Sequence, residues 1–237
     1  MKLVSSSKLK SVEEALFRGR TFGESMLNAV AIPDVEKKKK KEDDSALMGL
    51  FPETGKRYLC VMLTTDRGLC GPVNSSLARA LRKELLAASR DKKDVRVVTL
   101  GDKGRAQIAR DYVPVMARSF DQLFDKDANF ALASAIAAKV IQEPYDHLVL
   151  FFNKYENQAK FHNAFKTIPQ LAGLKPGEEP ATLKGYEVEP LDNSEAMINL
   201  QEYAIASALF YVRPSAPPPH THTPPPTHQR LTLPSAL

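Results

Sequence analysis

The chain has 237 residues, 43% of them hydrophobic and 26% charged, with two cysteines and a formal net charge of +5. It is long enough for one sizeable domain with extensions, no run of residues approaches the ~18 uninterrupted apolar positions of a membrane-spanning helix, and two cysteines are too few for a disulfide framework. The excess positive charge is spread along the chain without interleaved aromatics, which is not the footprint of a nucleic-acid surface.

Residues 1–31 read as one helix. Leu9, Val12, Leu16, Gly19, Gly23, Met26 and Val30 recur at alternating spacings of three and four, a coiled-coil seam with glycine at two of its places. The same spacing also suits a surface helix lying on its own domain. Residues 32–56 form a charged linker: the lysine run Lys37 to Lys41 is followed by Glu42, Asp43 and Asp44, as in an exposed loop.

At Arg57 the period changes. Tyr58 to Thr64 reads as a buried strand, Thr65 to Pro72 as a tight loop, and Asn74 or Ser75 as the N-cap of a helix reaching about Ala88. Val95 to Leu100 predicts a second strand, followed by Gly101-Asp102-Lys103-Gly104 and a short helix. A longer helix covers about Asn129 to Gln142, and His147 to Asn153 predicts the next strand. Residues 158–168 read as an extended partner to 147–155, and Gly185 to Glu189 as one more short strand. Alternation of this kind predicts an α/β domain over 57–192, a Rossmann-like, mostly parallel sheet with helices on both faces. Residues 193–213 predict a second amphipathic helix, with Ile198, Ile205, Leu209 and Val212 on one face and able to pair with the first helix. Residues 214–237 hold eight of the 17 prolines and read as a disordered or polyproline II tail.

Candidate chemistry is sparse. The loop from Thr65 to Gly71 stands where an open parallel sheet binds phosphate. It lacks Gly-x-Gly-x-x-Gly and Gly-Lys-Ser/Thr patterns, and Pro72 removes an N–H donor. Cys70 near a helix start has no histidine close in sequence, so a structural cysteine is the reading, and neither His147 nor His162 has triad neighbours. His220, His222 and His228 sit in the proline-rich tail, where no ligand set is preorganised. The residues therefore indicate no catalytic group, no metal and no cofactor.

Two segments carry a resemblance. Met1-Lys2-Leu3-Val4-Ser5-Ser6-Ser7-Lys8-Leu9 is similar to the first-helix motif of the gamma subunits of the rotary proton-translocating ATP synthase. Asp66-Arg67-Gly68-Leu69-Cys70-Gly71, followed by Asn74-Ser75-Ser76-Leu77, resembles that family's most recognisable loop, and Gln201-Glu202-Tyr203 with Ala208-Leu209-Phe210-Tyr211 fit its returning helix. The resemblance spans residues 1 to about 212. It implies terminal helices paired as an antiparallel coiled coil, a central shaft turning inside the alpha and beta subunits of the catalytic head. It further implies an α/β foot beside epsilon or delta subunits and the membrane c-ring, and no catalytic residue of its own. Subunit contacts would fall on Met1, Lys2, Lys8, Leu9, Leu16 and Met26 of the first helix and on Asp66, Arg67, Gly68, Leu69, Cys70 and Gly71 of the loop.

The implied location is peripheral, on the matrix side of the mitochondrial inner membrane. A bacterial plasma membrane and a plastid thylakoid are the alternatives. Family chains start earlier and continue past Phe210-Tyr211 as a long helix, where Pro214 here opens the proline-rich tail. The expectation is a chain incomplete at both ends that does not support rotary catalysis as written. The alternative of another class is a free-standing flavodoxin-like module for a phosphate-bearing ligand.

Overall fold

A computed structural model describes residues 14, 19, 22–23, 25–31, 51–52, 55–66, 68, 70–122, 129–157, 160–171 and 194–212. Among these residues five strands form one sheet: β1 (Arg57–Leu63), β2 (Asp94–Leu100), β3 (Met116–Phe120), β4 (His147–Asn157) and β5 (Lys160–Pro169). Their order is β3-β2-β1-β4-β5. The first four run parallel, and β5 turns back antiparallel on β4. The expected mostly parallel α/β sheet is thus present.

Central β1 is buried on both sides, and the two-residue period of a strand sends alternate side chains to opposite cores. Leu59, Val61 and Leu63 enter one core, while Tyr58, Cys60 and Met62 enter the other. The second core is covered by α1 (Val73–Arg90) and by Ile108 of α2 (Asp102–Tyr112). Leu77, Leu81, Leu85 and Ala88 of α1 recur at helical spacing and are buried. Each of these leucines contributes roughly 2 kcal/mol by leaving water.

The first core is covered by α3 (Phe130–Ile141), α4 (Ser194–Val212) and helical residues 25–30. Leu27, Val30 and Ala31 share that core with Met197, Ala204, Ile205, Ala208, Leu209 and Tyr211. Gly23 makes the closest approach, since a Cβ there would overlap the Tyr211 side chain. In the described part of the first helix the buried line is Gly23, Leu27 and Val30, with Met26 half-buried beside it. Gln201 locks α4 in place. Its amide donates to the Tyr145 hydroxyl at 2.8 Å and its carbonyl accepts from Leu171 N at 3.0 Å.

Three expectations need correction. Strand β3 was not legible, because Met-Ala-Arg-Ser-Phe is a short, half-exposed edge strand without alternation. Ile198 stands 40% exposed, since the covered stripe at that end of α4 runs through Met197, Gln201 and Ala204. Neither Asn74 nor Ser75 caps α1, which begins at Val73 behind Pro72 without a side-chain cap. Asn129 does cap α3, accepting from Leu132 N at 2.9 Å. The short strand at 185–189, Val212's side chain, linker residues 32–50 and 53–54, the tail and most of the predicted coiled coil lie outside the described residues, while Phe51, read as part of an exposed linker, is buried in the second core.

Candidate functional site: the braced loop after the central strand

In a sheet of order β3-β2-β1-β4-β5, the chain reverses its direction of travel between β1 and β4. Ligands of open α/β sheets bind beyond the strand ends at such a point. The loop after β1 occupies that place, and its polar groups are directed inward at neighbouring loops.

Thr64 is buried. Its hydroxyl donates to the Leu100 carbonyl at 3.0 Å and accepts from Gly104 N at 2.9 Å. Gly101 has φ +103°, and a Cβ there would overlap the Thr64 carbonyl, so the loops after β1 and β2 are in backbone contact. Thr65 is held from the other side by Asn74. Thr65 N donates to Asn74 Oδ1 at 3.1 Å, and Asn74 Nδ2 donates to Thr65 Oγ1 at 2.7 Å. Asn74, read from sequence as a helix cap, is instead a latch between loop and helix.

Asp66 carries the most informative geometry. Its Oδ1 accepts from Asp102 N and from Gln122 N, each at 3.0 Å. One carboxylate therefore joins the loops after β1, β2 and β3. It also sits on the first residue of α2, where free N–H groups and the helix dipole favour an anion. The other leading N–H groups of α2 have protein acceptors too: Lys103 N donates to the Thr65 carbonyl at 3.2 Å and Gly104 N to Thr64. A carboxylate of this chain thus occupies the anion position at that helix.

On the β4 side, Asn153 Nδ2 donates to the Val73 carbonyl at 3.0 Å, and Ser76 Oγ donates to Asn163 Oδ1 at 3.1 Å. These bonds tie the start of α1 to the β4–β5 hairpin across the reversal point. Cys70 is partly exposed, and its Sγ donates to the Gly68 carbonyl at 3.4 Å. Gly68 and Gly71 are described with it, whereas Arg67 and Leu69 lie outside the described residues, as do Met1, Lys2, Lys8, Leu9 and Leu16. Cys60 points into a core, where burial pushes its thiol far up from the ordinary range. Thr64 and Gln122 are positions for which the sequence carries no local signal, whereas Thr65 and Gly101 stand in the loops read from sequence after β1 and β2.

Replacement of Asp66 by alanine is expected to cost about 2 kcal/mol, since it leaves two backbone donors without their carboxylate. Asn, which keeps an acceptor oxygen, is expected to lose less than half of that. Urea unfolding of the two variants and the parent measures the difference.

The sheet, the helices on both its faces and the helix pair against one side define a Rossmann-like α/β domain carried on terminal helices. The family model for ATP synthase matches residues 1–213, so the chain belongs to the ATP synthase gamma family. It is 28% identical over 219 residues to the ATP synthase gamma chain of Pelagibacter ubique, covering 89% of this chain and 72% of the relative. It is 25% identical over 213 residues to the mitochondrial ATP synthase F(1) complex subunit gamma of Rattus norvegicus, covering 89% and 71%. Among solved structures it is similar to a chain of the central stalk and c-ring of Tetrahymena thermophila mitochondrial ATP synthase. That match has a TM-score of 0.63 and 26% identity, over 90% of this chain and 88% of the other.

Proposed function

We propose that this chain is the central rotor-shaft subunit of ATP synthase, coupling proton flow to ATP synthesis by rotation inside the catalytic head. The observation that carries the reading is the family match over residues 1–213, joined to a fold shared with a central-stalk chain. The matching relatives and structures give the flavodoxin-like alternative no support. The partners of such a shaft are the alpha and beta subunits of the head, with epsilon or delta and the c-ring at the foot. Its location is the matrix side of the mitochondrial inner membrane, as the rat relative and the Tetrahymena structure suggest. Among the described residues no helix is long and apolar enough to cross a membrane.

Within that complex the chain contributes no catalytic residue. The shaft helix, residues 1–31, would meet the head through Met1, Lys2, Lys8, Leu9, Leu16 and Met26. The domain over 57–192 would form the foot, with residues 32–56 as linker, 193–213 as the returning helix and 214–237 as an appendage. Asp66 to Gly71 would shape a subunit contact, with Asp66 bracing the loop from within and Arg67, Gly68, Leu69, Cys70 and Gly71 meeting a neighbour. Lysines at positions 2 and 8 suit acidic surfaces, because charge complementarity sets association rate and register.

Mixing the purified chain with alpha and beta subunits of the rat complex tests this. The chain should co-elute with the head on size exclusion, and alone it should hydrolyse ATP no faster than buffer. A double K2E/K8E change should weaken association at least tenfold at low salt and less at high salt. Elution of the parent chain apart from the head would overturn the reading.

A further inference from the structure

Aromatic rings from three helical segments meet at the margin of the first core, against which Phe130 and Phe210 pack. Phe22 is 44% and Tyr203 39% exposed, and their rings meet edge-on with centroids 6.2 Å apart. Phe130 contacts both, at 6.4 Å from Phe22 and 5.8 Å from Tyr203. It also reaches Phe210 at 5.9 Å. Edge-on pairing of this kind is favourable, yet two of the four rings keep two fifths of their surface open.

The chain leaves α4 beside this surface. Tyr211, near the end of α4, fills the space that Gly23 leaves open, and Phe22 is the neighbour of Gly23. Beyond α4 the sequence holds two proline triplets, Pro217-Pro218-Pro219 and Pro224-Pro225-Pro226. Proline fixes φ in advance, so a polyproline II segment loses little entropy on binding, and aromatic-lined surfaces are its usual receptors. The reach also fits. From Val212, the end of α4, back to Tyr203 is about 14 Å along the helix, which about five residues cover at 3.1 Å each. A reversal at Pro214-Ser215 would bring the first triplet over that distance.

We propose that the surface of Phe22, Phe130 and Tyr203 is the docking site of the chain's own proline-rich segment, residues 214–237, bound as polyproline II. The docked segment covers the two open rings. This inference does not depend on the shaft assignment, since it uses only contacts within one chain.

The chain contains no tryptophan, so Tyr203→Trp in the full chain places a single reporter on the surface. Three proteins are compared by acrylamide quenching: the full chain, a chain ending at Arg213, and a full chain with all six triplet prolines changed to glycine. The glycine variant keeps the chain length and serves if the shortened chain folds poorly. The quenching constant is expected to rise at least twofold in both altered proteins. A peptide of residues 214–237, added to the shortened chain, is expected to restore the lower value saturably. Equal quenching in all three proteins would overturn the proposal. So would protection that survives removal of the segment and grows with protein concentration, which would assign the surface to a second copy.

Discussion

Gly101→Ala is expected to lose about 4 kcal/mol of stability, a large part of what a domain of this size has to spare. Two costs combine. A φ of +103° is a conformation L side chains rarely adopt, at about 1–3 kcal/mol. In addition, the new Cβ would overlap the Thr64 carbonyl, a backbone group that cannot swing aside, which adds about 1–3 kcal/mol of overpacking. Relief would require the loops after β1 and β2 to separate, and that breaks the bonds of Thr64 with Leu100 and Gly104. Gly68→Ala is the control. Its Cβ would meet nothing closer than the Lys103 Cε at 3.7 Å, so the change should stay within about 0.5 kcal/mol. Chemical unfolding of both variants decides the matter, and equal stabilities would remove the backbone contact from the account.

Glu84→Gln is expected to stabilise the protein by about 2 kcal/mol at pH 8 and by little at pH 5. Glu84 lies on the apolar stripe of α1 and is 4% exposed. Burial pushes its carboxyl up to about 7, against the opposing pull of Lys83 and Lys93. A raised acid binds its proton more tightly folded than unfolded. Its favourable contribution is therefore complete below the ordinary carboxylate range near pH 4 and is lost as pH rises through about 7. Asp146 has the opposite sign. The Lys56 backbone N–H and the Arg57 side chain hold it down to about 2, so its contribution is constant from pH 5 to 8 and fades only in strong acid. The melting temperature of the parent should thus fall from pH 5 to 8 relative to the Gln variant. Parallel pH profiles for the two would exclude Glu84 as the cause.

The sheet's central strands were readable because burial on both faces leaves continuous apolar runs such as Leu59 to Leu63, bounded by polar residues. The edge strand β3 was not, since an edge needs fewer apolar residues. The loop after β1 was readable as a motif, while its wiring was not. Asp66 bonds to residues 36 and 56 positions away, and no local pattern specifies which distant N–H a carboxylate will meet. Asn74 shows the same limit: a residue type suited to capping serves instead to latch Thr65. The seam of the first helix was legible in part: Gly19, expected on it, is only half-buried, with nothing within 4 Å of where its Cβ would stand. Gly23 and Val30 are buried as expected, and Leu27 rather than Met26 is the most enclosed residue between them. A helix lying on a curved domain follows its own 3.6-residue period more closely than a strict heptad.

The strand order also sets a timetable for synthesis. β1 is made early, yet it lies between β2 and β4, and Asp146, which clips Lys56 and Arg57 at the entry to β4, comes 90 residues after Lys56. At about 5–20 residues per second, one edge of the innermost strand waits roughly 5–18 seconds for its partner to leave the ribosome. During that interval its N–H and carbonyl row is open, and Leu59, Val61 and Leu63 lack the cover later supplied by α3 and α4. The most deeply buried strand of the finished protein is therefore the one most exposed to mispairing while the chain is being made, and the natural client segment for a chaperone is 57–63.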